Sequence, residues 1–318
     1  MILRYLGVKH ECLVRENRTV KIFISGGTGF VGTNLARYLL DKGHSVIAAG
    51  TSSTHKNISH ENFRYLSADT TEKGPWQDSL QDVDALINLA GRTIFNRWSE
   101  RYKKQIYNSR ILTTRNLVEA IPDDKEVVLC STSAVGYYGD RAEEILNEEA
   151  LPGDDFLATV SIDWEKEAFA AEKKSARVAV MRFGVVLGQN GGALAKMIPA
   201  FKSFAGGPIG RGDQWFPWIH LDDLILAVMF ILENQDIKGP VNFCAPNPVR
   251  NRDFAKALGK ILGRPSFMRA PSFMIRTLMG EMGTIVMSSQ RAVPDKLLKS
   301  GFEFKYPDIE KALYNLLK

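Results

Sequence analysis

The chain has 318 residues, 45% hydrophobic and 24% charged, a globular composition that excludes a disordered or collagen-like protein. Its net charge of +5 is too thin over this length to predict nucleic-acid binding and fits a small anionic ligand equally well. Three distant cysteines (Cys12, Cys130, Cys244) and five histidines without metal-ligand spacing exclude a disulfide framework and predict no structural metal.

Residues 1–19 precede the first clear strand and read as an N-terminal extension without the continuous apolar run of a signal peptide. Residues 20–25 are a short apolar run that predicts a buried strand ending in glycines. From Gly29 to Lys42, Val31, Leu35 and Leu39 recur at i, i+4 and i+8, one apolar helix face, with Gly43 as C-cap. Residues 45–49 are a second strand, so the chain opens on a βαβ unit and the start of a parallel sheet. The alternation continues with strands at 63–66, 84–89, 127–130 and 178–183 and helices over 100–120 and 162–174. Beyond Arg182 the texture changes, and residues 188–218 are glycine-rich, as binding loops are. Residues 221–234 resume as an apolar helix and 241–244 as a strand, with helices from 251 to the end.

The longest apolar run, Leu224 to Leu232, falls far short of the ~20 residues that span a bilayer. The expectation is a cytoplasmic α/β protein with a doubly wound parallel Rossmann sheet and a smaller, interleaved C-terminal substrate lobe. Residues 20–183, with a return segment at 219–244, make the nucleotide-binding domain, and 184–218 with 245–318 make the lobe. The expected partner is a small-molecule substrate, with no nucleic acid and no membrane, and no feature sets an oligomeric state.

Between the first strand and helix lies Ser25-Gly26-Gly27-Thr28-Gly29-Phe30-Val31-Gly32. Gly27, Gly29 and Gly32 form G-x-G-x-x-G in the strand–turn–helix context that gives this motif its meaning. Glycine permits a tight turn and close approach to a pyrophosphate, while the helix N-terminus presents free N–H groups. An NAD site usually places Asp or Glu after the second strand, to hold the ribose 2′-hydroxyl. No acidic residue stands between Asp41 and Glu61; Gly50, Thr51, Ser52, Ser53 and Lys56 suit a 2′-phosphate instead. The expected cofactor is NADP(H).

This turn, Asn88-Leu89-Ala90-Gly91 and Trp218-Ile219-His220-Leu221-Asp222-Asp223 together resemble the extended short-chain dehydrogenase/reductases. Ser109-Arg110, Ser133-Ala134-Val135-Gly136-Tyr137-Tyr138-Gly139 and Gly206-Gly207-Pro208-Ile209-Gly210 resemble one atypical branch of the NAD(P)-dependent epimerase family. That branch is labelled nucleoside-diphosphate-sugar epimerase or cell-division inhibitor, and the resemblance runs from residue 20 to the end. It implies bound NADP(H), with Gly26, Thr28, Gly29, Phe30, Val31 and Gly32 at the pyrophosphate and Gly50 and Thr51 at the adenosine ribose. It also implies Leu89, Ala90 and Gly91 beneath the nicotinamide-side ribose, and Gln105 and Arg110 as further cofactor-side positions. A buried arginine needs an anionic partner, for Arg110 either a phosphate, the substrate or a carboxylate of the chain itself.

Ordinary members of that superfamily carry a Tyr-x-x-x-Lys pair on one helix face, the lysine lowering the tyrosine pKa. With Glu165 taken as the acid that follows the pair, the two positions here are Leu157 and Ser161, which cannot transfer a proton that way. Ser133 occupies the position of the substrate-orienting serine, and Tyr138 or Tyr137 is the candidate relocated acid, which requires a depressed pKa. Two other routes are protonation by water or substrate, and no catalysis at all. The sequence therefore supports an NADP(H)-dependent oxidoreductase or epimerase-like enzyme with a small, nucleotide-sugar-type substrate; the alternative is a non-catalytic, redox-responsive NADP(H)-binding regulator.

Among weaker features, Asp222 and Asp223 read as caps of the following helix rather than an acid/base set with His220. Trp215, Phe216 and Trp218 read as pocket lining or packing. The methionine-rich stretch 268–287 predicts core packing of the small lobe, and Arg97, Arg101, Lys103 and Lys104 a solvated helix start.

Overall fold

In the computed structural model, which describes residues 19–55, 57–123 and 125–318, Ile22 and Ile24 bury on one side of the first strand and Phe23 on the other. A strand buried on both sides must be covered by helices on both faces, the condition of a parallel α/β sheet. The strands are β1 (Lys21–Ser25), β2 (Ser45–Gly50), β3 (Phe63–Ser67), β4 (Ala85–Asn88), β5 (Val128–Ala134), β6 (Arg177–Phe183) and β7 (Gly239–Phe243). They form one seven-stranded parallel sheet in the order β7-β6-β5-β4-β1-β2-β3. The order reverses between β1 and β4, so a crevice opens outside their carboxyl ends. This is the doubly wound Rossmann arrangement that the sequence predicts.

The helices are α1 (Phe30–Asp41), α2 (Glu100–Ala120), α3 (Phe156–Phe169), α4 (Gly192–Lys202), α5 (Leu221–Glu233), α6 (Asn251–Leu262), α7 (Ser272–Met279), α8 (Met282–Met287), α9 (Asp295–Lys299) and α10 (Ile309–Leu317). Leu35 and Leu39 of α1 and Leu224 and Val228 of α5 cover one face of the sheet. Leu117 of α2 and Ala168 of α3 cover the other, where Trp76 stacks on Phe23. A separate core joins Leu194 and Phe201 of α4 to Trp218, Phe254 of α6 and Leu313 of α10, so residues on both sides of β7 in sequence share it.

Three details depart from the sequence expectation. The helix expected over 162–174 starts at Phe156, because the Asp155 carboxylate accepts the Ala158 N–H at 2.9 Å and caps it. The methionine-rich stretch is core only in part: Met282 is buried, but α7 buries no residue, and Phe273 and Leu278 are each 70% exposed. α7 meets its neighbours through Ile275, which lies against Gly283, and through Ser272, which lies near Gly210. Lys56, Cys12 and the extension through residue 18 lie outside the described residues.

The cap of α5 is His220 rather than the acids. Its Nδ1 accepts the Asp222 N–H at 3.0 Å, and its ring stacks on Tyr306 at 4.0 Å. Asp223, buried, instead accepts the backbone N–H groups of Lys305 and Tyr306 and ties the C-terminal segment down. Burial holds the His220 imidazole below its usual value of about 6.5. The unfolded chain then binds more protons just below that value. The stability that neutral His220 contributes is full above about pH 6.5 and is lost as pH falls toward the folded value. The urea midpoint should fall from pH 7 to 5, and His220→Asn, which keeps a capping acceptor, should flatten that slope. His44, also lowered by burial, adds a slope of the same sign that the variant retains. An unchanged slope in His220→Asn would refute this assignment.

Candidate functional site

The register of the sheet aligns Ser25 and Asn88, at the carboxyl ends of β1 and β4, with Ser131 in the middle of β5. The Ser25 hydroxyl donates to Asn88 Oδ1 at 2.6 Å, and Asn88 Nδ2 donates to Thr114 Oγ1 at 2.8 Å. Trp164 Nε1 donates to the same Thr114 oxygen at 2.8 Å, so α2 and α3 are both pinned to this floor. All these groups are buried and bonded, which makes the floor rigid rather than reactive.

Above the floor the glycine turn leaves β1. Gly26 has a φ of +69°, and a Cβ there would come within 2.9 Å of the Ala90 nitrogen, so the turn lies directly against the strand end Leu89-Ala90. A Cβ at Gly32 would run into the Gly26 carbonyl oxygen. Gly32→Ala should therefore force the turn open and destabilise the protein by ~1–3 kcal/mol, measured by urea unfolding. A variant as stable as the parent would mean that the contact yields freely. Gly29 caps α1 with no side-chain acceptor, and no acid stands in the first turn, so the positive end of the helix dipole is left open.

Gly26, Thr28, Gly29, Gly50, Thr51, Leu89, Ala90, Gly91 and Gln105 all line one cavity of about 610 Å³. The loop after β2 is held in place there by Tyr65, whose hydroxyl bonds the carbonyls of Gly50 at 3.0 Å and Ser52 at 2.5 Å. Phe30, Val31 and Gly32 stand one step back. The Phe30 ring fills a hollow left by Gly188, Gly191 and Gly192, linking the turn to the start of α4. For these three residues only the backbone N–H groups can serve a ligand.

Arg110 does not line the cavity but sits directly behind Gly91, which does; a Cβ on Gly91 would approach its Cζ to 3.3 Å. It donates to the carbonyls of Arg92 at 3.1 Å and Ile106 at 3.0 Å and lies 5.2 Å from the Trp164 ring centroid. No carboxylate among the described residues pairs with it, and burial pushes its guanidinium down to about 10. The cavity wall also includes Asp69, Arg92, Arg101, Lys104 and Asn108, which the sequence reading did not select. Their signal was available: Arg101, Lys104, Gln105 and Asn108 recur at i, i+3, i+4 and i+7, a polar stripe along α2.

Ser133 and Tyr138 belong to a different cluster. Register places Ser133, Arg182 and Asn242 side by side on β5, β6 and β7. Ser133 Oγ donates to Glu165 Oε1 at 2.7 Å, and Arg182 grips both Glu165 oxygens at 2.8 Å each. Arg182 Nη1 donates to the Tyr138 hydroxyl at 3.0 Å, which bonds Asn242 Oδ1 at 2.7 Å. The Tyr137 ring covers the guanidinium at 3.6 Å. Tyr138 is fully buried, and burial pushes its phenol up to about 12. That corrects the sequence expectation of a depressed phenol: Arg182 pulls the pKa down, but loss of water outweighs it. Neither hydroxyl lines the cavity.

Residues 22–244 match the family described as NAD dependent epimerase/dehydratase family, and residues 270–316 match a domain of unknown function, DUF1731. The chain is 39% identical over 313 residues to the epimerase family protein SDR39U1 homolog, chloroplastic, of Arabidopsis thaliana, covering 96% of this chain and 89% of that protein. It is 38% identical over 301 residues to the epimerase family protein YfhF of Bacillus subtilis, covering 94% of this chain and 98% of that one. The solved human epimerase family protein SDR39U1 (isoform 2) with NADPH superposes with a TM-score of 0.82 at 31% identity, covering 93% of this chain and 99% of that chain.

Proposed function

The chain belongs to the NAD dependent epimerase/dehydratase family, and on that premise we propose that it binds NADP(H) and performs oxidoreductase or epimerase-like hydride chemistry on a small, nucleotide-sugar-type substrate. The observation that carries this reading is the cavity itself. It joins a glycine cradle too tight for side chains and an open helix N-terminus, and behind its Gly91 wall lies a desolvated arginine without a carboxylate. An anionic dinucleotide meets all three needs. The preference for the 2′-phosphorylated form rests on the acid-free stretch between Asp41 and Glu61 and on the NADPH of the human relative.

The Gly26–Gly32 backbone would hold the pyrophosphate, with Gly50 and Thr51 at the adenosine ribose and Leu89, Ala90 and Gly91 under the nicotinamide-side ribose. When bound, the cofactor gives or takes a hydride at its nicotinamide. Ser133 and Tyr138 are positioning residues in this reading, because both hydroxyls are committed to Glu165, Arg182 and Asn242. The proton then comes from water or from the substrate's own groups.

Fluorescence titration should show NADPH binding at least ~tenfold tighter than NADH, a gap of about 1.4 kcal/mol; equal affinities would refute the cofactor choice. Stopped-flow oxidation of NADPH against carbonyls and nucleotide sugars tests turnover. A non-catalytic NADP(H)-binding regulator is the second reading, favoured by Leu157 and Ser161 at the positions of the missing pair. Tight NADPH binding with no turnover on any substrate would decide for it.

A further inference from the structure

Residues 254–280 carry Lys256, Lys260, Arg264, Arg269 and Arg276 and no acidic residue. The same stretch turns large apolar side chains to solvent: Phe267 is 78% exposed, and Phe273 and Leu278 are each 70% exposed. Met274 and Leu278 stand one turn apart on α7 with Phe273 beside them, so the three share a face. Phe204 joins the patch, because Arg264 stacks on its ring at 4.7 Å. Arg264, Arg269 and Arg276 pair with no carboxylate among the described residues. The nearby acid Glu281 is taken by Lys103 of α2, at 3.1 Å. That bridge, with Ile275 against Gly283, fixes α7 with its apolar face outward.

We propose that this face docks on an anionic lipid surface. Phe267, Phe273 and Leu278 would enter the acyl boundary, and Arg264, Arg269 and Arg276 would lie among the headgroups. Segments that lie on bilayers combine protruding aromatic and aliphatic groups with flanking arginines in this way. Charge complementarity selects this occupant. Two copies meeting through the face would set arginine against arginine with no acid to compensate. No helix of the described residues is long and apolar enough to cross a membrane, but lying on one needs no such helix.

The full chain is to be sedimented with vesicles of phosphatidylcholine, either alone or with about 30% phosphatidylglycerol. Binding to the anionic vesicles should be at least ~tenfold stronger than to the neutral ones and should weaken as salt rises. Phe273→Ser with Leu278→Ser should lower it by at least ~tenfold. Arg269→Gln with Arg276→Gln should remove most of the preference for anionic lipid. All four side chains are exposed, so the melting temperature should hold in both variants. No vesicle binding at low salt, or equal binding by the variants, overturns the proposal. Self-association in sedimentation velocity that Phe273→Ser with Leu278→Ser abolishes, without vesicle binding, gives the face to a second copy and also overturns it. Binding only by a chain lacking residues 1–18 assigns the face to that segment, with the same result.

Discussion

Glu165→Ala is expected to cost about 3–5 kcal/mol of stability, the usual effect of removing one partner from a buried ion pair. Arg182 is 2% exposed, and among the described residues its charge has one carboxylate partner, Glu165, held by two bonds of 2.8 Å. With that carboxylate gone, the guanidinium keeps the Tyr138 hydroxyl, the Glu148 carbonyl and the Tyr137 ring, none of which carries a compensating charge. Ser133 would lose its acceptor as well. The loss should appear as a lower urea midpoint with an unchanged slope. The companion experiment is Glu165→Leu with Arg182→Met. Removing both charges avoids the stranded cation, so the double variant should be more stable than Glu165→Ala. If the double variant is the weaker of the two, the cluster is held by its hydrogen bonds and packing rather than by the pair. Because the cluster does not line the cavity, NADPH affinity in the folded fraction of either variant should stay within about twofold.

The contrast between that cluster and the cavity shows what could be read from the chain alone. The βαβ opening was legible because Ile22, Phe23 and Ile24 are apolar in succession, and Val31, Leu35 and Leu39 keep one helix face. The glycine turn was legible because its function is written in the backbone, and only glycine fits where Gly26 meets Ala90. Ser133 and Tyr138 were legible as neighbours but not as a closed network. Their partners Glu165, Arg182 and Asn242 lie 32 to 104 positions away, brought in by strand register and by α3. No local pattern distinguishes a hydroxyl that faces a ligand from one that already has its partners. The same limit explains the methionine-rich stretch. Its apolar composition fits a core as well as a surface, and only the packing of α7 through Ile275 and Ser272 turns Phe273 and Leu278 outward.

Arg110→Met is expected to stabilise the ligand-free protein while weakening NADPH binding, opposite effects from one charge. The guanidinium is pushed down to about 10, from an ordinary value near 12.5, by burial without a carboxylate. A base with a lowered folded pKa imposes its cost wherever it is charged in both states. The cost is therefore full at neutral pH and is relieved only as pH rises through about 10. Allowing for the partial exposure of the side chain, removing the charge should add ~1–2 kcal/mol, or a few degrees in Tm for a chain of this size. Methionine keeps much of the aliphatic stem against Trp164, so packing should change little. Under the proposed function the balance should reverse in the bound state, where a cofactor phosphate would supply the missing anion. NADPH at a hundred times its Kd stabilises a folded protein by about 2.7 kcal/mol, and a tenfold weaker Kd would leave about 1.4 kcal/mol at the same concentration. Thermal melts of parent and variant, with and without NADPH, check both halves together. A variant that melts lower without ligand would mean that the two carbonyl bonds and the indole contact outweigh the desolvation of the charge. A variant that binds NADPH as tightly as the parent would remove Arg110 from the cofactor site.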